Sequence, residues 1–241
     1  MKAFWWFKEN SIAGMARPGF NSVKWLDLPF NEAVLLGWIG QYSQPQLSMS
    51  SFQEHLQTYV PKIYKFHKLD PVSGARELDI FKDHQGFTKT LNQLNSRFQM
   101  FNDFSVNDSH IQIEMNNDIL NQDIQFFKKN NIDTIVTLTE QHHHKDILNS
   151  HFSTHHLSIE DLGAPTKDQA QQLAEIIKSN ISSDNKIAVH CLAGIGRTST
   201  MLIAAHILLG ESHAELMNRI AKQNPSFALS GSQAEFITSL V

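Results

Sequence analysis

An α/β fold, with a mainly parallel central sheet flanked by helices, is predicted by three observations. Short β-rich runs recur at residues 133–138, 156–159 and 186–190. Helical patterns separate them, and the one between the last two opens on a capping box, Thr166 with Gln169. The run Met201–Leu209 is apolar on every side, as a helix sunk in a layered core must be. Strands alternating with helices imply parallel pairing with both sheet faces covered.

Taken in chain order, Phe4-Trp5-Trp6-Phe7 reads as the lead-in to an edge strand whose aromatic side chains pack at core or rim. Residues 21–116 differ in character. Phe87, Leu91, Leu94, Phe98 and Phe101 keep one apolar helical face for four turns. Val34-Leu35-Leu36 with Trp38-Ile39, and Phe52, Leu56 and Tyr59, suggest two further helices, with a loop punctuated by Pro61, Pro71 and Gly74. The chain is therefore read as one domain from residues 1–20 and 117–241, interrupted by a helical insertion or subdomain at 21–116. Within the later part, Ala170, Leu173, Ala174 and Ile177 mark the buried face of the helix after Thr166. Gly210 stops the apolar helix, Ser212 with Glu215 caps another, and Asn224-Pro225 ends it.

Composition narrows the function classes. With 41% hydrophobic and 18% charged residues, the 241-residue chain can bury a sizeable core. A net charge of −4 argues against a protein that binds nucleic acid or anionic lipid through bulk charge. No apolar run reaches the ~18 residues of a membrane span. The start carries too short an apolar stretch for a signal peptide. One cysteine excludes an internal disulfide and any multi-cysteine zinc site, which fits a reducing, cytoplasmic setting.

That cysteine lies in His190-Cys191-Leu192-Ala193-Gly194-Ile195-Gly196-Arg197-Thr198, between a predicted strand and the apolar helix. A strand–loop–helix turn gathers backbone N–H groups and the positive helix end into one concavity. Gly194 and Gly196 allow a tight turn and close approach to an oxyanion. Such a nest favours thiolate over thiol. Arg197 offers a planar fork for two phosphate oxygens, and the Thr198 hydroxyl suits a departing sulfur. A structural buried cysteine would need none of these neighbours. The set suits phosphoryl transfer through a thiophosphate.

The Cys-x5-Arg loop resembles the signature of the cysteine-based protein tyrosine phosphatases, most closely their atypical dual-specificity branch. Residues 11–18, Ile132–Glu140 ending in Leu-Thr-Glu, and Pro225 with Gln233 resemble other stretches of that branch. The resemblance covers residues 3–20 and 117–241, and the block between departs from the compact pattern. It implies a dual-specificity phosphatase-like fold and a nucleophilic Cys191. Leu192, Ala193, Gly194, Ile195, Gly196 and Arg197 would bind phosphate, with His190 and Thr198 in support. It further implies a proton donor about thirty residues before the cysteine with a proline four residues after it, which Asp161 and Pro165 satisfy. Glu160 and Asp168 flank that place, as a solvated loop charge and a helix N-terminal carboxylate. Gln233 corresponds to the glutamine that helps position water. In this branch the chain passes near the rim of the site where the block is inserted. Lys62, Lys65 and Lys68 would then offer charge to an acidic phosphopeptide, unless they form a solvated face.

No cofactor or metal is implied. His142 to His144 are consecutive, which focuses poorly on one ion, so the histidine-rich stretch reads as an exposed loop. The expected substrate is phosphotyrosine, with phosphoserine or phosphothreonine, on protein. Phosphoinositides remain open, although lipid-directed relatives often carry lysines where Leu192, Ala193 and Ile195 stand. A phospho-binding pseudoenzyme would lack one of Cys191, Arg197 or Asp161, and a rhodanese-type sulfurtransferase would lack the Gly-x-Gly-Arg-Thr pattern.

Overall fold

A computed structural model describes residues 3–20, 28–41, 46–67 and 70–241, without the side chains of Tyr59 and residues 61–67. The chain begins with strands β1 (Phe4–Lys8) and β2 (Ile12–Met15). A second group follows: α1 (Phe30–Gln41), β3 (Gln46–Ser48), α2 (Met49–His67), α3 (Pro71–Leu78), α4 (His84–Phe98), β4 (Phe101–Val106) and β5 (His110–Met115). Next come α5 (Asn117–Lys129), β6 (Ile132–Thr137), α6 (Lys145–Asn149), β7 (Ser153–His156), α7 (Lys167–Ser182) and β8 (Lys186–His190). Helices α8 (Arg197–Leu208), α9 (His213–Gln223) and α10 (Gly231–Thr238) complete it.

Two compact units result, Met1–Asn21 with Asn121–Val241, and Ser22–Leu120. The first holds a five-stranded sheet in the order β1-β2-β8-β6-β7. Only β1 is antiparallel; β2, β8, β6 and β7 run parallel. Helix α8 is apolar all round because it is covered all round, and Met201 to Ala205 are fully buried. Val136, Val189, Leu173, Ile177, Leu216 and Ile220 close the core around it. The edge strand β1 divides its aromatics between faces, as a period of two dictates. Phe7 enters the core, while Phe4 meets the Phe126 ring at 5.0 Å. Trp5 lies across Gly14, where any Cβ would strike its ring.

The second unit corrects three expectations. It is not purely helical: β3, β5 and β4 form an antiparallel sheet. The apolar stripe does not run four turns as helix. Gln99 takes a left-handed conformation (φ 52°), α4 ends at Phe98, and Phe101 starts β4. Alternation then replaces the helical period, with Ile111 and Ile113 buried and Gln112 and Glu114 exposed. Helix α2 also continues through Pro61 to His67, and Asp70 caps α3 ahead of Pro71. Trp38, Phe52, Phe81 and Phe87 form this unit's aromatic centre, with ring centroids 4.8–5.1 Å apart. Phe4–Lys8, read from the sequence as the lead-in to an edge strand, is a strand in its own right, so two strands precede the insertion. Lys62, Lys65 and Lys68, expected as a charged surface, lie outside the described side chains.

Candidate active site

Strand β8 lies between β2 and β6, with His190 level with Met15 on one side and Thr137 on the other. The loop that leaves β8 therefore emerges mid-sheet at the carboxyl end of parallel strands, the usual place for a ligand crevice. Cys191 is the first residue of that loop and is 3% exposed. The Gly194 N–H points at Cys191 Sγ from 3.3 Å. Gly194 needs its missing side chain twice over. Its φ is +72°, and a Cβ there would come within 2.6 Å of the Met15 backbone carbon. Two further bonds fix the loop: Arg17 N donates to Leu192 O (3.0 Å), and Asn224 Nδ2 donates to Gly194 O (3.1 Å). Gly196 is the N-cap of α8, so the helix starts under the loop with its positive end toward it.

His190 is buried beneath. Its Nε2 is 2.9 Å from Thr137 Oγ1 and its Nδ1 is 3.2 Å from Cys191 O. Desolvation pushes its pKa down to about 3, so the ring is neutral and acts as a hydrogen-bonding prop rather than a charge. Thr198 Oγ1 is buried with no hydrogen-bond partner among the described residues.

Arg197 brings in the second loop. Its guanidinium, 3% exposed, meets Asp161 Oδ1 at 2.7 Å through Nη2 and donates to Ile159 O at 3.0 Å through Nη1. Asp161 thus stands at the cysteine loop, whereas Asp168 is an exposed residue in the first turn of α7 and Glu160 is exposed. Glu140, at the end of the Leu-Thr-Glu stretch, accepts from Asp161 N at 3.3 Å. It is exposed as a residue, yet partial desolvation of its carboxylate raises its pKa above the ordinary value. Gln233 is buried, donating from Nε2 to Gly163 O at 2.8 Å and accepting Ser230 N at Oε1 at 3.0 Å. Gln169, recognisable in the sequence only as a cap, also donates to Ser158 O at 2.6 Å. The sequence reading missed Asn224, Glu140 and Gln169 as site residues. Asn224 was legible only as a helix end.

The histidine stretch is not simply an exposed loop. His143 is buried and His142 and His144 are half-buried. His144 turns left-handed (φ 54°) to start α6, which folds His143 inward. Desolvation, then the charge of Arg17, lowers His143 to about 2 and His144 to about 4. Among the described residues, no three His, Cys, Asp or Glu side chains are grouped to hold a metal ion. No helix among them is long and apolar enough to cross a membrane.

A buried cysteine, an amide-lined loop, an arginine fork and a carboxylate on the facing loop define a cysteine-centred oxyanion site on an α/β sheet. Known proteins resemble this part of the chain. Residues 111–211 match the family described as "Polymorphic toxin system, DSP-PTPase phosphatase". Human dual specificity protein phosphatase CDC14C is 36% identical over 86 residues, covering 35% of this chain and 18% of that protein. The PRL-1 phosphatase of Drosophila melanogaster is 27% identical over 121 residues, covering 49% of this chain and 68% of the relative. The chain thus spans less than a fifth of the human relative's length. A crystal structure of PTPMT1 in complex with PI(5)P aligns at TM-score 0.45 and 21% identity, covering 50% of this chain and 83% of that one. Over this region the chain is similar to dual-specificity phosphatases of the cysteine-based protein tyrosine phosphatase superfamily.

Proposed function

We propose that the unit built on the five-stranded sheet is a cysteine-dependent phosphomonoesterase acting on phosphotyrosine, and on phosphoserine or phosphothreonine, in proteins. Cys191 Sγ attacks phosphorus, and an S–P bond forms as the P–O bond to the leaving group breaks. The departing oxygen keeps the electron pair and takes the Asp161 proton. Arg197 and the amides of Leu192 to Gly196 hold the equatorial oxygens. Water then attacks the thiophosphate, gives its proton to the Asp161 carboxylate, and returns the thiolate, with Thr198 donating to the sulfur. His190 props the loop from below. This chemistry needs no cofactor or metal.

The observation that carries the reading is the 2.7 Å contact of Asp161 with Arg197, which brings a carboxyl group to the guanidinium of the cysteine loop. The uncharged Leu192, Ala193 and Ile195 favour a protein phosphoester over a polyanionic headgroup. The single cysteine supports a reducing, cytoplasmic compartment for the reaction.

Purified protein is assayed on p-nitrophenyl phosphate, phosphotyrosine and phosphoserine peptides, phosphoinositide vesicles, and thiosulfate with cyanide. Turnover of the aryl phosphate and peptides, lost in Cys191→Ser, is expected. Phosphoinositide turnover exceeding that of peptides overturns the substrate class, and thiocyanate formation overturns the reaction. The matched family's description also supports a cellular readout, in which expression of the wild type slows growth and Cys191→Ser does not.

A further inference from the structure

Resting on that reading, we infer that Gln233 is a positioning residue that clamps the acid loop onto the phosphate loop, and so acts through Asp161 rather than on water. Both heavy atoms of its amide are engaged with backbone. Oε1 accepts from Ser230 N, capping α10, and Nε2 donates to Gly163 O at 2.8 Å. The same amide occupies the space beside Gly196, where a Cβ would come within 3.0 Å of Oε1 and 3.3 Å of Nε2. One side chain therefore touches the residue before Arg197 and holds the residue two after Asp161.

The acid loop needs that hold. Leu162 adopts φ +59°, a left-handed conformation with a steric cost for a side-chain-bearing residue. A short loop with that cost keeps its shape only under outside restraint. Helix α10 supplies it on both sides of the peptide after Leu162: Ser232 Oγ donates to Leu162 O at 3.4 Å, and Gln233 donates to Gly163 O. Release of Gly163 lets Leu162 relax, and Asp161, its neighbour, leaves the position from which it serves the leaving oxygen.

The two roles of Gln233 separate kinetically. A clamp on the acid acts before the S–P bond is complete, so it governs kcat/KM for substrates with poor leaving groups. A water positioner acts afterwards, so its loss lowers kcat and lets the thiophosphate accumulate. Two variants are read together. Gln233→Met loses both bonds; Gln233→Glu keeps the acceptor that caps α10 and loses the donor to Gly163. Both are expected to lose about tenfold in kcat/KM on phenyl phosphate, the worth of one well-placed hydrogen bond, and about twofold or less on p-nitrophenyl phosphate. Their leaving-group dependence should steepen toward that of Asp161→Asn. A burst of nitrophenolate, with kcat/KM unchanged, overturns the clamp in favour of water positioning. Equal losses on every substrate with a lowered melting temperature overturn it in favour of a merely structural role. A wild type inactive on all aryl phosphates overturns the phosphatase reading and the clamp with it; an active wild type with either other outcome overturns the clamp alone.

Discussion

Residues 191–196 and residues 158–163 converge on Arg197, but they are held in different ways. The cysteine loop hangs from the middle of a parallel sheet and is tied by the backbone of Arg17, two residues past β2, and by one buried side chain, Asn224. The acid loop lies outside the last strand, and its fixings are chiefly side chains from four places: Glu140, Gln169, Arg197 and Gln233. A loop tied by backbone keeps its shape through most substitutions. A loop tied by side chains can be retuned one residue at a time. The cradle is thus built for constancy and the proton donor for adjustment.

The contrast fails first at the residue both loops share. Arg197→Lys removes the phosphate fork and both contacts to the acid loop, and should cost about 10²–10³-fold in kcat/KM on any aryl phosphate. A loss under tenfold would show that a point charge suffices. Asp161→Asn should leave the cradle intact and cost about 10²-fold on phenyl phosphate, with far less on p-nitrophenyl phosphate, whose leaving group needs little protonation. If Asp168→Asn gave that pattern instead, the acid would lie on α7. Asn224→Ala tests the backbone-tied loop: losing one buried bond of about 1 kcal/mol should lower turnover less than tenfold and equally for all leaving groups.

The smallest effects are on stability, and their signs differ between the buried histidines and Glu140. His190 and His143 are held neutral at about 3 and about 2, below the ordinary histidine value of 6.5. Below pH 6.5 the unfolded chain takes up protons that the folded chain refuses. Stability present above pH 6.5 is therefore lost as pH falls toward about 3. Glu140 is raised, so its contribution is present below its unfolded value of 4.5 and lost as pH rises through its folded one. Thermal melts from pH 7 to pH 4 should fall on the acid side. Glu140→Gln should change the melting temperature at pH 7 by no more than about 2 °C. A wild-type curve that rises toward pH 4 would contradict the histidine account.

What the sequence disclosed follows the same division. Cys191, Arg197 and the glycines are close in sequence and answer to one turn, so local pattern and family resemblance found them. Asp161 was found by its distance from Cys191, a property of resemblance rather than of physics. Glu140, Gln169 and Asn224 act through bonds to residues far away in the chain, and nothing in their own neighbourhood announces a partner. Residues 101–115 were misread for another reason. Phe98 and Phe101 extend the helical spacing by chance, while His110-Ile111-Gln112-Ile113-Glu114-Met115 alternates as a strand should and outweighs it. His143 is buried because a backbone reversal at His144 turns it inward, and composition carries no such signal.

The wall that Gly194 leans on is strand β2, and its register joins residue 12 to residue 187. Between those partners the ribosome must make the whole second unit and most of the first. At translation rates of about 5–20 residues per second, β2 waits roughly 10–35 s for its neighbour. Pairings this distant in sequence are also the slow step of folding once the chain is complete. During that wait Ile12, Ala13 and Met15, all buried in the finished sheet, have no strand to pair with on that side. The first strands therefore emerge with these apolar side chains uncovered, and the loop around Cys191 cannot assemble until residue 197 has cleared the exit tunnel.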